Sequence, residues 1–356
     1  MQKVVFHQHG DPEKVLELEK AEELPSPGKG EVLVKVTKLP MHSGDFLMVT
    51  GLHNPREYEV PQGGLTPGAE GVGVVEALGP DIDVARGLVP GARVSFFVVG
   101  AWKEKLILQA DSIFVVPEGV DDDLASQLYV NPMAALLIVR EVVNAAGRRT
   151  GILRISANSA IFSGLKPAST EPGVVILSAA ASITAKLIAG LLKEKGFTPI
   201  GLVRSRAAAV DLCATTGIPT FATEVSDWRD RIRKEVCDRT IFAALDAVGG
   251  ELSTDMLELL SPGGTLISYG ILSGEPLIIP QAPLTMEAKL VCGVGMVHWS
   301  LLPYEQRAAD LAIMTEFLQR NRQLLPTFKE FKLSELKDAL QLFFQPGRNG
   351  IIMLIP

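Results

Sequence analysis

The stretch VILSAAASITAK, residues 175–186, indicates which fold this part of the chain adopts, because a short apolar run leads directly into a turn of small residues. A turn of this kind, between a buried strand and a helix, is where dinucleotide-binding folds hold phosphates. We expect the strand at Val174–Leu177, the turn at Ser178–Ser182 and the helix at Ile183–Lys195, closing at Gly196. Ser182 is the predicted N-cap of that helix.

A similar phrase, LRISANSAIFSG at residues 153–164, comes just before it. Gly164, Pro167 and Pro172 follow, so no helix of useful length can begin after Ala160. We interpret residues 147–172 as an insertion, with an extra strand and a loop as its expected form. Chance similarity of two small-residue runs is favoured over a true duplication, and one phosphate site is predicted, in the second phrase.

The pattern of apolar and polar residues changes near Val130. Before it, short alternating runs such as GEVLVKVTKL (residues 30–39) are separated by Gly and Pro, which indicates a β-rich domain. After it, apolar runs alternate with helical segments, which indicates an α/β domain with a doubly wound parallel sheet, buried on both faces. The last apolar run, GIIMLIP (350–356), is expected to return to the first domain. The predicted domains are therefore 1–130 with 310–356, and 131–309.

Composition narrows the classes of function. The 356 residues are 47% hydrophobic and 21% charged, as in a soluble globular protein, and the net charge of -7 disfavours nucleic acid and anionic membranes as partners. The three cysteines are far apart and form no metal-spaced pair, which favours a reducing compartment. The first residues are too polar for a signal peptide, and no apolar run is long enough to span a membrane. These features predict a cytoplasmic location and a small-molecule substrate.

Four phrases in order, PGAEGVGVVEALG (67–79), PGARV (90–94), LDAVGG (245–250) and LSPGGTLISYG (260–270), resemble the medium-chain dehydrogenase/reductase superfamily. The zinc-independent branch matches best, through LPMHSGDFLMVTG (39–51) and YVNPMAA (129–135). Its trans-2-enoyl-thioester reductases and its quinone oxidoreductases share these phrases. The resemblance implies a GroES-like β-rich domain, a Rossmann domain with the active cleft between the two, hydride transfer from NADPH, and a homodimer.

No zinc is expected. Where zinc alcohol dehydrogenases of the superfamily have a cysteine and a GHE phrase, this chain has Ser43 and Gly44, and Gly68-Ala69-Glu70. Zinc requires several nitrogen or sulfur ligands at fixed spacing, and His42 alone cannot hold the ion.

Cofactor residues are predicted in five segments. The turn supplies the backbone around the phosphates, although Ile183 and Ala185 fill positions where the family has glycine. Arg204 and Arg206 follow the second strand, where an arginine fork pairs with the 2′-phosphate of NADP, and Ser205 adds a hydroxyl. The resemblance adds Asn131 and two later segments. The full prediction comprises Asn131, Ser178, Ala179, Ala180, Ala181, Ser182, Ile183, Thr184, Arg204, Ser205, Arg206, Tyr269, Gly270, Ile271, Leu272, Val294, Gly295 and Met296.

Three residues are candidates for the proton chemistry. Enoyl-thioester reductases carry a tyrosine in the loop after their GD dipeptide, and ungapped counting places His53 there, with Tyr58 five residues on. Either side chain has the chemistry of a general acid. His42 stands where the family has asparagine, and it is expected to line the nicotinamide pocket or to satisfy a backbone carbonyl.

Three functions stay open on the sequence. The first is NADPH-dependent reduction of an α,β-unsaturated carbonyl, with an enoyl thioester favoured. The second is quinone or enone reduction, which needs no proton-donating tyrosine. The third is a non-catalytic protein that keeps the fold with a degenerate cofactor turn, which the missing glycines would favour.

Overall fold

The computed structural model describes residues 1–52, 59–157, 173–345 and 347–356, and of residues 150–157 only the backbone. The chain forms two compact units, Met1–Met133 with Leu301–Pro356, and Ala134–Ser300. We call them the β-rich unit and the sheet unit. The limits predicted from the sequence were residues 130 and 310.

The described strands and helices have the following bounds. In chain order the strands are β1 (Gln2–Val5), β2 (Glu17–Lys20), β3 (Glu31–Pro40), β4 (Glu70–Leu78), β5 (Arg93–Phe97), β6 (Lys105–Gln109), β7 (Ile113–Val115), β8 (Val174–Leu177), β9 (Thr198–Val203), β10 (Thr220–Ala222), β11 (Ile241–Asp246), β12 (Thr265–Ser268), β13 (Leu290–Gly293), β14 (Thr327–Lys332) and β15 (Ile351–Ile355). The helices are α1 (Pro12–Val15), α2 (Ser43–Val49), α3 (Asp122–Ala125), α4 (Val130–Ala157), α5 (Ile183–Glu194), α6 (Arg206–Thr216), α7 (Trp228–Val236), α8 (Glu251–Leu259), α9 (Gln281–Met286), α10 (Met296–Ser300), α11 (Tyr304–Arg320) and α12 (Leu336–Phe344).

The sheet unit contains the predicted parallel sheet. Among the described residues it has six strands in the order β10-β9-β8-β11-β12-β13, and every neighbouring pair is parallel. Numbered from β8, this is the order 3-2-1-4-5-6 of dinucleotide-binding folds, in which the direction of winding reverses between β8 and β11. The expected α/β doubly wound architecture is confirmed.

The central strands of this sheet are buried on both faces, as their apolar runs predict, whereas the edge strand β13 is partly exposed. All residues of β8 and β11 are buried. One face packs Val174 and Ile176 against side chains from α7 and α8, including Ile232 and Met256. Because side chains alternate along a strand, the intervening residues of the same strands face the other helical layer.

One part of the predicted insertion has a different structure. Residues 147–157 continue α4, so the phrase LRISA is helical where an extra strand was expected. A short apolar run fits helix and strand equally well, and extending an existing helix needs no new nucleus. Residues 158–172, the rest of the predicted insertion, lie outside the described residues.

The β-rich unit is built on a mainly antiparallel sheet. Its described strands follow the order β14-β15-β3-β4-β5-β7, with β6 also paired to β3 and only β14 and β15 parallel. The last strand, β15, pairs with β3, so the C-terminal end of the chain returns to the first domain, as predicted. The core of this unit includes Phe6, Phe46, Trp102 and Ile352.

A buried carboxylate organises the edge of the parallel sheet. Asp246, the last residue of β11, is fully buried and accepts hydrogen bonds from Ser178 Oγ (2.9 Å) and Ser253 Oγ (2.6 Å). Its oxygens also accept from the backbone N–H groups of Val248 and Gly249, at 2.9 and 3.1 Å. Asp246 thus joins the end of β8, the loop after β11 and helix α8, across the point where the winding reverses.

We expect Asp246→Ala to cost about 3 kcal/mol or more of the free energy of unfolding, because it leaves two buried hydroxyls and two N–H groups without their acceptor. Ser253→Ala, which removes one of the same hydrogen bonds, should cost about 1 kcal/mol. Urea denaturation of both variants checks the ratio. Equal losses in the two variants would contradict a central role for the carboxylate.

Candidate functional site

The predicted cofactor segments of the sheet unit meet at one edge. Parallel strands end on the same side, and Ser178, Arg204, Tyr269 and Val294 directly follow β8, β9, β12 and β13. This carboxyl edge is where open parallel sheets bind ligands. The structure therefore brings together residues that are more than 100 positions apart in the chain.

The turn after β8 achieves its shape without glycine. Ala179 adopts a left-handed conformation, with φ of 47°, which normally favours glycine. Ala180 packs against β9 at Gly201, where an added Cβ would lie 2.9 Å from the Ala180 Cβ. The close approach that a glycine in the turn would permit is thus provided by a glycine on the neighbouring strand. Sequence reasoning missed Gly201, which is the single glycine of the run TPIGLV.

The helix after the turn begins where the sequence predicts. Ser182 caps α5, and its hydroxyl accepts from the Ala185 N–H at 3.2 Å. Ile183 and Thr184 are the first two helical residues, and both are half-buried. Ala181 is the exposed residue of the turn. The N-terminus of a 12-residue helix thus follows the small-residue turn, and the arrangement fits the pyrophosphate of a dinucleotide.

The side chain of Ser178 has a different role from the expected cofactor contact. It is fully buried, donates to Asp246 and accepts from the Ala247 N–H at 2.8 Å. Because both contacts lie inside the protein, the Ser178 side chain stabilises the turn from its buried side.

The basic segment after β9 lies at the surface. Arg204 and Arg206 are exposed, and neither guanidinium forms an ion pair with the part of the chain that the structure describes. Ser205 caps α6, where its hydroxyl accepts from the Ala208 N–H at 3.3 Å. The Arg206 N–H donates to Glu224 Oε1 at 2.8 Å, so one carboxylate lies beside the two arginines.

The predicted cofactor segments after β12 and β13 contain both buried and exposed residues. The hydroxyl of Tyr269 is buried and meets no hydrogen-bonding partner among the described residues. Burial and the negative charge of Asp246 raise the pKa of Tyr269, which keeps its hydroxyl protonated. Gly270 lies against the backbone of Ala247, where a Cβ would be 2.9 Å from the carbonyl oxygen. Beyond Gly270, Ile271 is half-buried and Leu272 is exposed. In the segment after β13, Val294 and Met296 are half-buried and Gly295 is exposed.

The β-rich unit holds a second polar cluster, built on the pairing of β3 with β4. The register places Lys38 opposite Val72, so the chain just beyond β3 passes beside Glu70, the first residue of β4. There His42 Nε2 lies 2.6 Å from Glu70 Oε1. The imidazole is 5% exposed and the carboxylate is fully buried.

Both members of this pair have further contacts. Glu70 Oε2 accepts from the N–H groups of Tyr129 and Val130, at 2.7 and 3.2 Å, at the start of α4. The Asn131 amide nitrogen, Nδ2, lies 3.4 Å from His42 Nδ1. The structure thus brings His42 together with Asn131, two predicted site residues, and adds Glu70. The sequence carried one sign of Glu70, an acidic residue inside the apolar phrase PGAEGVGVV.

Burial and charge oppose each other in this cluster. Burial by itself lowers the pKa of His42, but the contact with Glu70 and the charge of Asp45 more than offset it, so the pKa is raised above its usual value. Burial raises the pKa of Asp45 from 3.8 to about 6, although the charge of His42 opposes that rise. The Asp45 carboxylate accepts from the His42 backbone N–H at 2.8 Å.

His53 and Tyr58, the two other candidates for proton chemistry, lie outside the described residues. No group of three or more His, Cys, Asp or Glu side chains within the described ranges is arranged to hold a metal ion. In the helix α10, Trp299 is buried and His298 is exposed.

We expect Ala179→Gly to stabilise the protein by about 1 kcal/mol, since it relieves a left-handed alanine. Ala181→Gly in the same turn is the control, because its φ is not positive and glycine should there cost a few tenths of a kcal/mol. Thermal unfolding of the two variants gives the comparison. Destabilisation by both substitutions would contradict strain at Ala179.

Asp45→Asn should flatten the pH dependence of stability. A carboxyl whose folded-state pKa is raised stabilises the fold below its unfolded pKa of 3.8 and loses that contribution as pH rises through about 6. The difference in unfolding free energy, variant minus wild type, should therefore rise by on the order of 3 kcal/mol between pH 4 and pH 7. Urea denaturation across that range measures it, and a constant difference would show that Asp45 titrates normally.

Comparison with known proteins shows which protein families this chain resembles. Residues 28–118 match the family model described as alcohol dehydrogenase GroES-like domain, and residues 186–313 match that described as zinc-binding dehydrogenase. The mitochondrial enoyl-[acyl-carrier-protein] reductase of Xenopus tropicalis is 25% identical over 351 residues, which cover 95% of this chain and 90% of that protein.

Solved structures agree on the fold. A putative NADPH:quinone reductase from Bacillus thuringiensis superposes with a TM-score of 0.80 at 22% identity, covering 100% of this chain and 98% of that one. The Escherichia coli quinone oxidoreductase, solved with NADPH, gives 0.77 at 17% identity with both chains fully covered. The chain therefore belongs to the medium-chain dehydrogenase/reductase superfamily, as an oxidoreductase that resembles the zinc-independent enoyl and quinone reductases.

Proposed function

We propose that this protein is an NADPH-dependent reductase of a C=C bond conjugated to a carbonyl, with an enoyl thioester as the favoured substrate. The observation that carries the proposal is the basic segment after β9. Two exposed guanidinium groups without ion-pair partners among the described residues flank the Ser205 cap, at the edge where the fold binds a dinucleotide.

The same segment favours NADP over NAD. An enzyme that selects NAD places an acidic side chain at the end of the second strand, to accept from the ribose 2′-hydroxyl. Here Arg204 occupies that position, and a guanidinium suits a 2′-phosphate instead. Glu224, whose carboxylate accepts from the Arg206 backbone N–H, is an opposing charge beside the two arginines. Two arginines outweigh one carboxylate whose charge is already engaged by the start of α6.

The bound cofactor would supply the hydride, and the chain would bind and orient it. The turn at Ala179–Ser182 and the first N–H groups of α5 would hold the pyrophosphate. Tyr269 and Gly270 follow β12 at the same edge, and the family resemblance also implies Asn131 as a polar contact. The proton that completes reduction of a C=C bond would come from a side chain of the β-rich unit, for which His42, His53 and Tyr58 are the candidates.

The substrate class rests on the relatives and on one departure from them. A relative that matches 95% of this chain is named an enoyl-[acyl-carrier-protein] reductase, which favours a thioester. Quinone or enone reduction is the second candidate, because His53 stands at the position of the family's tyrosine and quinone reduction needs no such donor. NADPH oxidation measured with a crotonyl-type thioester and with a panel of quinones separates the two. No turnover of any thioester would defeat the first.

A non-catalytic protein with the same fold is the third candidate. The alanines of the cofactor turn are its support, and the close fit of Ala180 against Gly201 weakens that support. Calorimetric titration with NADPH decides, because absence of binding would make this candidate the leading one.

Two further proposals concern the state of the protein. We propose a homodimer, supported by exposed apolar side chains near β13, the last strand of the described sheet: Ile278, Met286 and Val297. A cytoplasmic location stays a prediction from composition. Within the described residues no helix has the length and apolar character needed to cross a membrane.

We expect Arg204→Ala to weaken NADPH binding by about 30-fold, roughly 2 kcal/mol, because it removes a charge-assisted contact to the 2′-phosphate. NADH lacks that phosphate, so its affinity should change less than threefold in the same variant. Calorimetric titration of both cofactors measures the two effects. Equal weakening of NADPH and NADH would refute the assignment of Arg204 to the 2′-phosphate.

A further inference from the structure

The basic segment Arg204-Ser205-Arg206 is held at both ends by one residue, Glu224, which follows the neighbouring strand β10. The Glu224 backbone N–H donates to the Arg204 carbonyl oxygen at 3.1 Å. The Glu224 side-chain Oε1 accepts from the Arg206 backbone N–H at 2.8 Å. Glu224 is exposed, so these two hydrogen bonds, and not packing, define its place beside the segment.

The parallel pairing of β9 with β10 produces this contact. Ala222 lies beside Val203 in the register, and the Thr223 N–H donates to the Val203 carbonyl oxygen at 2.9 Å. Both strands end here, and the two hydrogen bonds of Glu224 continue the link into the connections that follow them. The backbone on either side of Ser205 is therefore tied to the end of β10.

The charges at the start of α6 give the Glu224 carboxylate a second effect. A helix N-terminus carries partial positive charge, which favours anions and disfavours cations. Arg206 is the first residue of α6, and the first turn of this helix contains no acidic residue. Glu224 supplies that negative charge from another element. Among the described residues its carboxylate binds the backbone and forms no ion pair with either guanidinium, so both cations stay available for a ligand.

We propose that Glu224 is a positioning residue that sets the preference for NADP, because it holds the backbone from which Arg204 and Arg206 present their side chains to one 2′-phosphate. This inference rests on the proposed function, which assigns the 2′-phosphate to these arginines. Ordering a loop and its long side chains on binding costs free energy. A segment whose backbone is already ordered avoids part of that cost, so the phosphate binds more tightly.

The charge of Glu224 acts in the opposite direction. A carboxylate beside the start of α6 repels a 2′-phosphate that binds there, and the exposed location screens this repulsion. If the carboxylate occupied the place of the phosphate, the guanidinium groups would pair with it. It binds the Arg206 backbone N–H instead. Positioning is therefore the larger effect, and substitutions separate it from the effect of charge.

The test removes the hydrogen bond and the charge in different variants of the full chain. Glu224→Gln keeps an acceptor oxygen for the Arg206 N–H and loses the charge, whereas Glu224→Ala loses both. Calorimetric titration should show NADPH binding that is weaker by about fivefold to tenfold in Glu224→Ala and within about threefold of wild type in Glu224→Gln. NADH lacks the 2′-phosphate, so its affinity should change by about twofold or less in both variants.

Two further variants show whether Glu224 acts through the arginines. Asp227→Ala removes another exposed carboxylate of the same connection, one that makes no capping hydrogen bond to α7, and it should leave both affinities unchanged. With Arg204→Ala and Arg206→Ala already present, Glu224→Ala should change the NADPH affinity by about twofold at most, because the side chains that it positions are gone.

Hydrogen exchange of the Arg206 amide, followed by NMR, is a readout without cofactor. Exchange should be slow in wild type and in Glu224→Gln and faster in Glu224→Ala. Tighter NADPH binding in Glu224→Ala, or equal weakening of NADPH and NADH, would overturn the proposal, since the first indicates competition with the phosphate and the second a general structural role. Wild-type protein that binds no NADPH would refute the proposed function and with it the selection of NADP, whereas the exchange rates would still show whether Glu224 orders the segment.

Discussion

The sheet unit depends on one buried carboxylate. Asp246 ends β11 at the point where the winding of the sheet reverses, and it ties that strand to Ser178 at the end of β8. Its oxygens also accept hydrogen bonds from the loop after β11 and from the hydroxyl of Ser253. These contacts fix the position of the turn after β8 from its buried side. A charge in this place costs desolvation, and complete hydrogen bonding is what makes it tolerable. The turn above it can therefore dispense with glycines, since its shape is imposed by its neighbours.

The β-rich unit uses buried charge differently. His42, Asp45 and Glu70 lie together, and burial raises the pKa of Asp45 to about 6. Such a group reduces stability at neutral pH, which a purely structural cluster would have no reason to keep. A group that lowers the stability of the fold without a compensating local contact is typical of a functional site. The cluster borders Asn131, the residue of this unit that the cofactor is expected to meet.

Several features of the site were predictable and others were not. The run VILSAAASITAK specified its strand, turn and cap, because each depends on residues within a few positions. The extra strand expected near residue 153 was wrong, since a short apolar run does not distinguish a strand from the end of a long helix. Ser178 was read as a ligand contact, and only the position of Asp246, 68 residues later, shows that its hydroxyl points inward.

By itself, the sequence determined the fold class and the positions of the small-residue turn after β8 and the basic segment after β9, because strand–helix alternation and turn chemistry are local properties. Only the tertiary structure decided how the turn manages without glycine, since the space for Ala180 is left by Gly201 on another strand. It also decided that His42 meets Glu70 and Asn131, because the pairing of β3 with β4 and the start of α4 bring them together. Contacts between distant positions depend on register and packing, and neither is written in any one stretch of the chain.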